Sequence, residues 1–155
     1  MTAKEYLLQI SQCDRKIKAL VQTRDLLRQK ALCNSSPCMN ADKVSGSGGV
    51  SAPMADAVDR YVDIERELDA MQDRYGALIL KIMKQINDVG DDRYAEVLRL
   101  RYIENKRLED ISCIMRKRNG DYYSYAHIRR LHGWALVSFY KKYRNDVEML
   151  HKDGI

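Results

Sequence analysis

Apolar side chains recur at alternating three- and four-residue spacing along two long stretches of this chain, and no other sequence feature constrains the fold as tightly. The first stretch reads Ala3, Tyr6, Ile10, Cys13, Ile17, Leu20, Arg24, Leu27 and Ala31, with one charge, Arg24, in the series. The second reads Ala57, Tyr61, Ile64, Leu68, Met71, Tyr75, Leu78, Ile82, Ile86 and Val89. A seam of this period belongs on a helix and asks for another helix to cover it. Between the two, Asn34-Ser-Ser-Pro and Ser45-Gly-Ser-Gly-Gly49 have linker composition and no period. The pattern predicts an all-α chain whose residues 1–90 form an antiparallel, coiled-coil-like helical hairpin with a flexible loop at 33–54. At 1.5 Å per residue each arm is about 45 Å long. Thr2 and Glu5 make a capping box that starts the first helix. Intramolecular pairing of the arms, a homodimer through them, or both fit the seams equally. A β-sandwich or barrel is disfavoured, because two prolines and eight glycines supply too few turns.

After Gly90 the segments shorten. Gly90-Asp91-Asp92 stops the second helix and caps the next. A helix over 92–103 turns Tyr94, Val97, Leu98 and Tyr102 inward. A second, over 108–117, does the same with Ile111, Ile114 and Met115. Asn119-Gly120-Asp121 breaks the pattern, and Ser124 caps a longer helix to about Arg144 with Ile128, Leu131, Ala135, Phe139 and Tyr143 inward. Residues 91–146 thus read as a three-helix, helix-turn-helix unit, and 147–155 as a tail.

Charge separates the two halves. Residues 1–92 hold 13 Lys/Arg and 14 Asp/Glu, whereas residues 93–155 hold 14 and 8, which accounts for the net +5. Between Met115 and Arg144 lie eight basic residues and one acid, Asp121. A basic excess confined to one end suits a polyanion, although a solvated basic helix has the same composition. Projected at 100° per residue, the last helix opposes its apolar face with Ala126, Arg130, Gly133, Val137, Lys141 and Arg144, and His127 and Arg129 flank that face. Small and basic residues together are what a groove-reading helix needs. Gly133, costly inside a helix by up to about 1 kcal/mol, allows a close approach. Ser124 and the free amides beside it suit a phosphate. Tyr123 and Tyr125 sit at the loop-to-helix junction, where they either pack structurally or touch DNA. The expected DNA-binding set is therefore Arg116, Lys117, Arg118, Tyr123, Ser124, Tyr125, His127, Arg129, Arg130, Gly133, Lys141, Lys142 and Arg144. Arg129 and Arg130 read or align DNA with His127 and Tyr125, and the other cations neutralise phosphates.

Other chemistries find no support. Cys13, Cys33, Cys38 and Cys113 lack the close pairs, or spaced histidines, of a zinc site, so Cys13 and Cys113 read as small core residues and no metal is expected. No phosphate-cradling glycine loop or nucleophile set is present. Asp91-Asp92 and Glu109-Asp110 sit at helix starts, where acids cap. Neither enzyme activity nor a cofactor is expected. The longest apolar run, Tyr75 to Leu80, is far short of the roughly 20 residues of a membrane span. No apolar leader follows Lys4 and Glu5. The expected location is cytoplasmic, with no membrane partner.

Three segments also resemble a known family. Tyr94-Ala-Glu-Val-Leu-Arg-Leu-Arg-Tyr-Ile103, Leu108-Glu-Asp-Ile111 and His127-Ile-Arg-Arg-Leu-His-Gly-Trp-Ala-Leu136 are similar to region 4 of sigma-70 factors. The whole chain resembles the phage-encoded sigma-like regulators of the RinA/ArpU type and their uncharacterised relatives. The resemblance implies that Arg129 and Arg130 occupy promoter-contacting positions and that Ala135 packs. Arg116 to Tyr123 is a longer turn than sigma factors carry between their reading helices. The promoter-melting regions have no counterpart, so the resemblance implies a regulator of phage late genes in a bacterial host. Its partner is double-stranded DNA, and a contact with host RNA polymerase is left open. Two other classes compete: a DNA-packaging recognition subunit like a small terminase, and a coiled-coil interaction protein that does not bind DNA.

Overall fold

The structure, a computed structural model, describes residues 2–33 and 52–149. Five helices are present among them: α1 (Ala3–Cys33), α2 (Ala52–Asn87), α3 (Asp92–Leu98, continued by wider π-type turns over Arg99–Ile103), α4 (Leu108–Ile114) and α5 (Tyr125–Met149). The expected loop at 33–54 lies, apart from the helix ends at 33 and 52–54, outside the described residues.

α1 and α2 form the expected antiparallel pair. Tyr6 of α1 meets Gln85 of α2, and further along Arg24 lies beside Tyr61 and Glu65, so the register runs in opposite directions. The capping box forms as the sequence requires, with the Glu5 amide donating to Thr2 Oγ1 at 3.3 Å and the Thr2 amide to Glu5 Oε2 at 2.7 Å. α2 ends at Asn87, and the turn after it runs through Gly90, whose φ of 95° is open to glycine at little cost. Asp91 then caps α3, accepting from the Arg93 amide at 2.9 Å.

The chain divides into two compact units, residues 1–14 with 75–155, and residues 15–74. The division therefore falls within α1 and α2, not at the turn that follows them. The first unit has two apolar cores. In one, Tyr6, Leu7 and Ile10 of α1, Ile82 and Ile86 of α2 and Val89 of the turn after it pack with Leu98, Tyr102, Ala135, Phe139 and Val147. In the other, Val97, Leu100, Ile111, Met115, Ile128 and Leu131 hold α3, α4 and the start of α5 together. α5 belongs to both cores, and its apolar face is the one the sequence indicates.

Several sequence expectations are corrected. α4 ends at Ile114, three residues early, because Met115 is extended and Arg116 pairs with Tyr122 in an antiparallel bridge. Met115 takes the inward position, whereas Ile114, expected inward, is 41% exposed. Cys113, expected in the core, is exposed, since it lies about 200° around the helix from buried Ile111. Cys13 is half-buried. α5 continues past Arg144 to Met149, and Val147, assigned to a tail, is fully buried. The helix departs from regular geometry at Tyr143 (φ −115°, ψ 28°), where both Lys142 and Tyr143 are tied to Asp88.

Candidate nucleic-acid interface

The connection between α4 and α5 is a miniature hairpin. Its closing bonds run from the Tyr123 amide to the Met115 carbonyl (3.3 Å) and from the Lys117 amide to the Asp121 carbonyl (2.8 Å). Gly120, at φ 87°, takes the tight position of the turn, and Asn119 is tied to Asp121 through both its side-chain oxygen and nitrogen. The Arg116 guanidinium lies 4.6 Å from the centre of the Tyr122 ring and donates to the Tyr122 hydroxyl at 2.6 Å. Next to Arg116 on the same strand, Lys117 lies over Tyr123 at 5.9 Å. The long turn is thus an ordered, basic projection. Its signal was present in the sequence: an Asn-Gly pair flanked by long side chains is a hairpin turn.

Ser124 closes the projection and starts α5, its carbonyl accepting from the Ile128 amide at 3.0 Å and its hydroxyl from the His127 amide at 3.4 Å. His127 stacks on Tyr123 with ring centres 4.9 Å apart, and Tyr123 packs against the second core. This pair is the joint between hairpin and helix. From it emerge Tyr125, Ala126, Arg129, Arg130 and Gly133, all exposed. A Cβ added at Gly133 would meet nothing within 4 Å, so this stretch of α5 is open to a close approach.

Ion pairing separates the expected phosphate contacts into two groups. Arg116, Lys117, Arg118, Arg129 and Arg130 have no acidic partner among the described residues. By contrast, Lys142 is bound to Asp88 at 2.8 Å, and Arg144 to Glu148 at the same distance. Hydrogen bonds from Lys142 and Tyr143 hold the Asp88 carboxyl below its usual range, and burial, with the bond to Asp88, pushes the Tyr143 hydroxyl up to about 12. Lys142 and Arg144 therefore anchor the end of α5. Lys141 is exposed but sits about 18 Å along the helix from Arg129. It borders an open groove of about 450 Å³ lined by Tyr94, Trp134, Val137 and Ser138. The structure thus links Lys117, Tyr123, Ser124 and His127 through direct contacts at the joint, keeps Arg116 and Arg118 on the hairpin, places Tyr125, Arg129, Arg130 and Gly133 exposed on the first turns of α5, and leaves Lys141, Lys142 and Arg144 further along that helix.

Exposed Trp134 (53%) and Val137 (54%) were not singled out by the apolar pattern, since both lie off the inward stripe. His132, two residues beyond Arg130, is half-buried: it stacks on Tyr102 and shares a 3.1 Å hydrogen bond with its hydroxyl. Burial, then the charges of Arg101 and Lys4, lower its pKa to about 4, so at neutral pH the ring is uncharged. No group of three His, Cys, Asp or Glu side chains among the described residues is placed to hold a metal ion. No helix among them is long and apolar enough to cross a membrane. No family model, curated protein or solved structure matches this chain.

Proposed function

We propose that this protein is a sequence-specific, double-stranded-DNA-binding regulator of phage late genes. In this reading α5 is the reading helix and the 115–123 hairpin holds the flanking backbone. One observation carries it: five cations without acidic partners gather on the hairpin and the first turns of α5, around the exposed small residues Ala126 and Gly133. Unpaired cations pay no penalty for leaving a carboxylate when they meet phosphate, and their release of counterions from DNA drives binding. A helix face of small and basic residues fits the major groove, where arginine pairs with guanine edges. The similarity of residues 92–144 to sigma region 4 gives the same assignment to Arg129 and Arg130. Each of these two is a base or backbone contact, and Arg116, Lys117 and Arg118 are phosphate contacts.

The test is recovery and sequencing of phage genomic fragments bound by the purified protein, beside the Arg129→Ala/Arg130→Ala variant. Sharp enrichment upstream of a late operon, lost in the variant, is the expected result. Enrichment at a packaging origin would point to a packaging subunit instead. Equal recovery of all DNA, or specific enrichment that survives in the variant, sinks the assignment.

A further inference from the structure

We infer that the hairpin arms of residues 15–33 and 52–74 associate with a second copy of this chain in a two-fold four-helix bundle, each α1 arm lying against the α2 arm of the other copy. The inference does not depend on the DNA reading.

It starts from burial. In the unit that holds the helix ends, Tyr6, Ile10, Ile82 and Ile86 are fully or almost fully buried, because α3 and α5 cover them. In the unit of residues 15–74 the same heptad positions have only the opposite arm for cover. There Ile17, Leu20, Leu27, Tyr61, Ile64 and Met71 are all half-buried, and Leu68 is the one described apolar side chain that reaches the buried class. Val58 (46%) and Val62 (37%) are exposed, and with Tyr61 they occupy positions i, i+3 and i+4, one continuous face of α2. Two helices bury one narrow stripe, whereas four bury two stripes on each helix.

Charge selects the occupant. The α1 arm over 15–33 has six Lys/Arg against one Asp, and the α2 arm over 52–74 has seven Asp/Glu against three Arg. Lys16 and Arg28 on one arm, and Asp59, Asp69 and Asp73 on the other, have no ion pair among the described residues. A partner for this surface must therefore present an acidic face to α1 and a basic face to α2, at matched levels. The chain's own hairpin does both. A two-fold axis parallel to the helices sets α1 beside α2 of the second copy and keeps like-charged arms on the diagonals. Every neighbouring pair is then antiparallel and opposite in charge, which the helix dipoles also favour.

Sedimentation equilibrium of the full chain without DNA, at micromolar concentration and moderate salt, tests this. The expected mass is twice the 18.0 kDa of one chain, returning to one chain in Val58→Glu/Val62→Glu. Zero-length Lys-to-carboxylate cross-linking of a mixture of isotopically heavy and light wild-type chains gives a second readout that no substitution can confound by unfolding. Heavy–light peptides joining the 15–33 arm to the 52–74 arm are expected. A wild type of single-chain mass, a ring-sized mass, a double variant that keeps the doubled mass, or heavy–light links absent or confined to like arms would each overturn the inference.

Discussion

The Tyr102–His132 pair shows how a side chain adjacent to a basic cluster is given a structural task. Its ring is stacked and hydrogen-bonded inside the unit, and its pKa falls from 6.5 to about 4. Between these two values the unfolded chain binds a proton that the folded chain refuses, so this stability is complete above pH 6.5 and is lost as pH falls towards 4. Thermal unfolding followed from pH 7 to pH 4 should show that decline in the wild type and a flatter profile in His132→Gln. An equally steep profile in the variant would assign the decline to other groups. A second residue-scale prediction concerns Gln85, which is 7% exposed. It accepts from the Tyr6 hydroxyl at 2.9 Å and donates to Asp146 at 3.1 Å, while Lys81 pairs with the same carboxylate. Gln85→Ala leaves the fully buried Tyr6 hydroxyl without this acceptor, and urea unfolding should register a loss of about 1–3 kcal/mol.

At the scale of elements, α5 and the hairpin before it divide stability from recognition. Gly120 holds φ 87° and a Cβ there meets nothing, so Gly120→Ala costs backbone strain alone, about 1–2 kcal/mol in chemical denaturation. Gly133 is helical with open space around it, and Gly133→Ala should raise stability by up to about 1 kcal/mol. In the DNA reading the added methyl also weakens DNA binding. A variant that is both more stable and a poorer DNA binder is the expected combination, and unchanged binding would show that DNA does not approach there. Ion pairing predicts a contrast along the same helix. Arg129→Ala should weaken binding to the cognate site by about 1–3 kcal/mol in a fluorescence titration, whereas Lys142→Ala, removing a cation already held by Asp88, should leave affinity nearly unchanged.

For the whole molecule, the number of unpaired cations sets how steeply DNA binding responds to salt. Three phosphate contacts give a slope of about −3 in log affinity against log salt, steeper by about 1 for each of Arg129 and Arg130 that contacts the backbone, and charge-neutral substitution of Arg116, Lys117 and Arg118 should make it shallower by about 3. A slope that ignores those three residues would remove the hairpin from the interface. Much of the architecture behind these predictions was legible in the sequence. The heptad seams gave α1 and α2 and their antiparallel pairing, and Thr2, Asp91 and Ser124 marked three helix starts, because period and capping are local properties of the chain. The inward face of α5 was legible for the same reason. Local pattern misplaced the end of α4, since helix and hairpin compete for Met115 and Arg116 and the pairing with Tyr122 decides between them. It also could not distinguish Lys142 and Arg144 from Arg129 and Arg130. All four are cations on a basic helix, and only the packing of α5 brings Asp88 to Lys142, while the continuation of α5 brings Glu148 to Arg144. Sequence by itself determined the helices, the apolar faces of α1, α2 and α5 and the location of the positive charge, which depend on neighbours three or four residues away. Tertiary structure alone decided that Lys142 is held by Asp88 and that His132 stacks on Tyr102, because those contacts depend on groups that folding brings from 30 to 55 residues away.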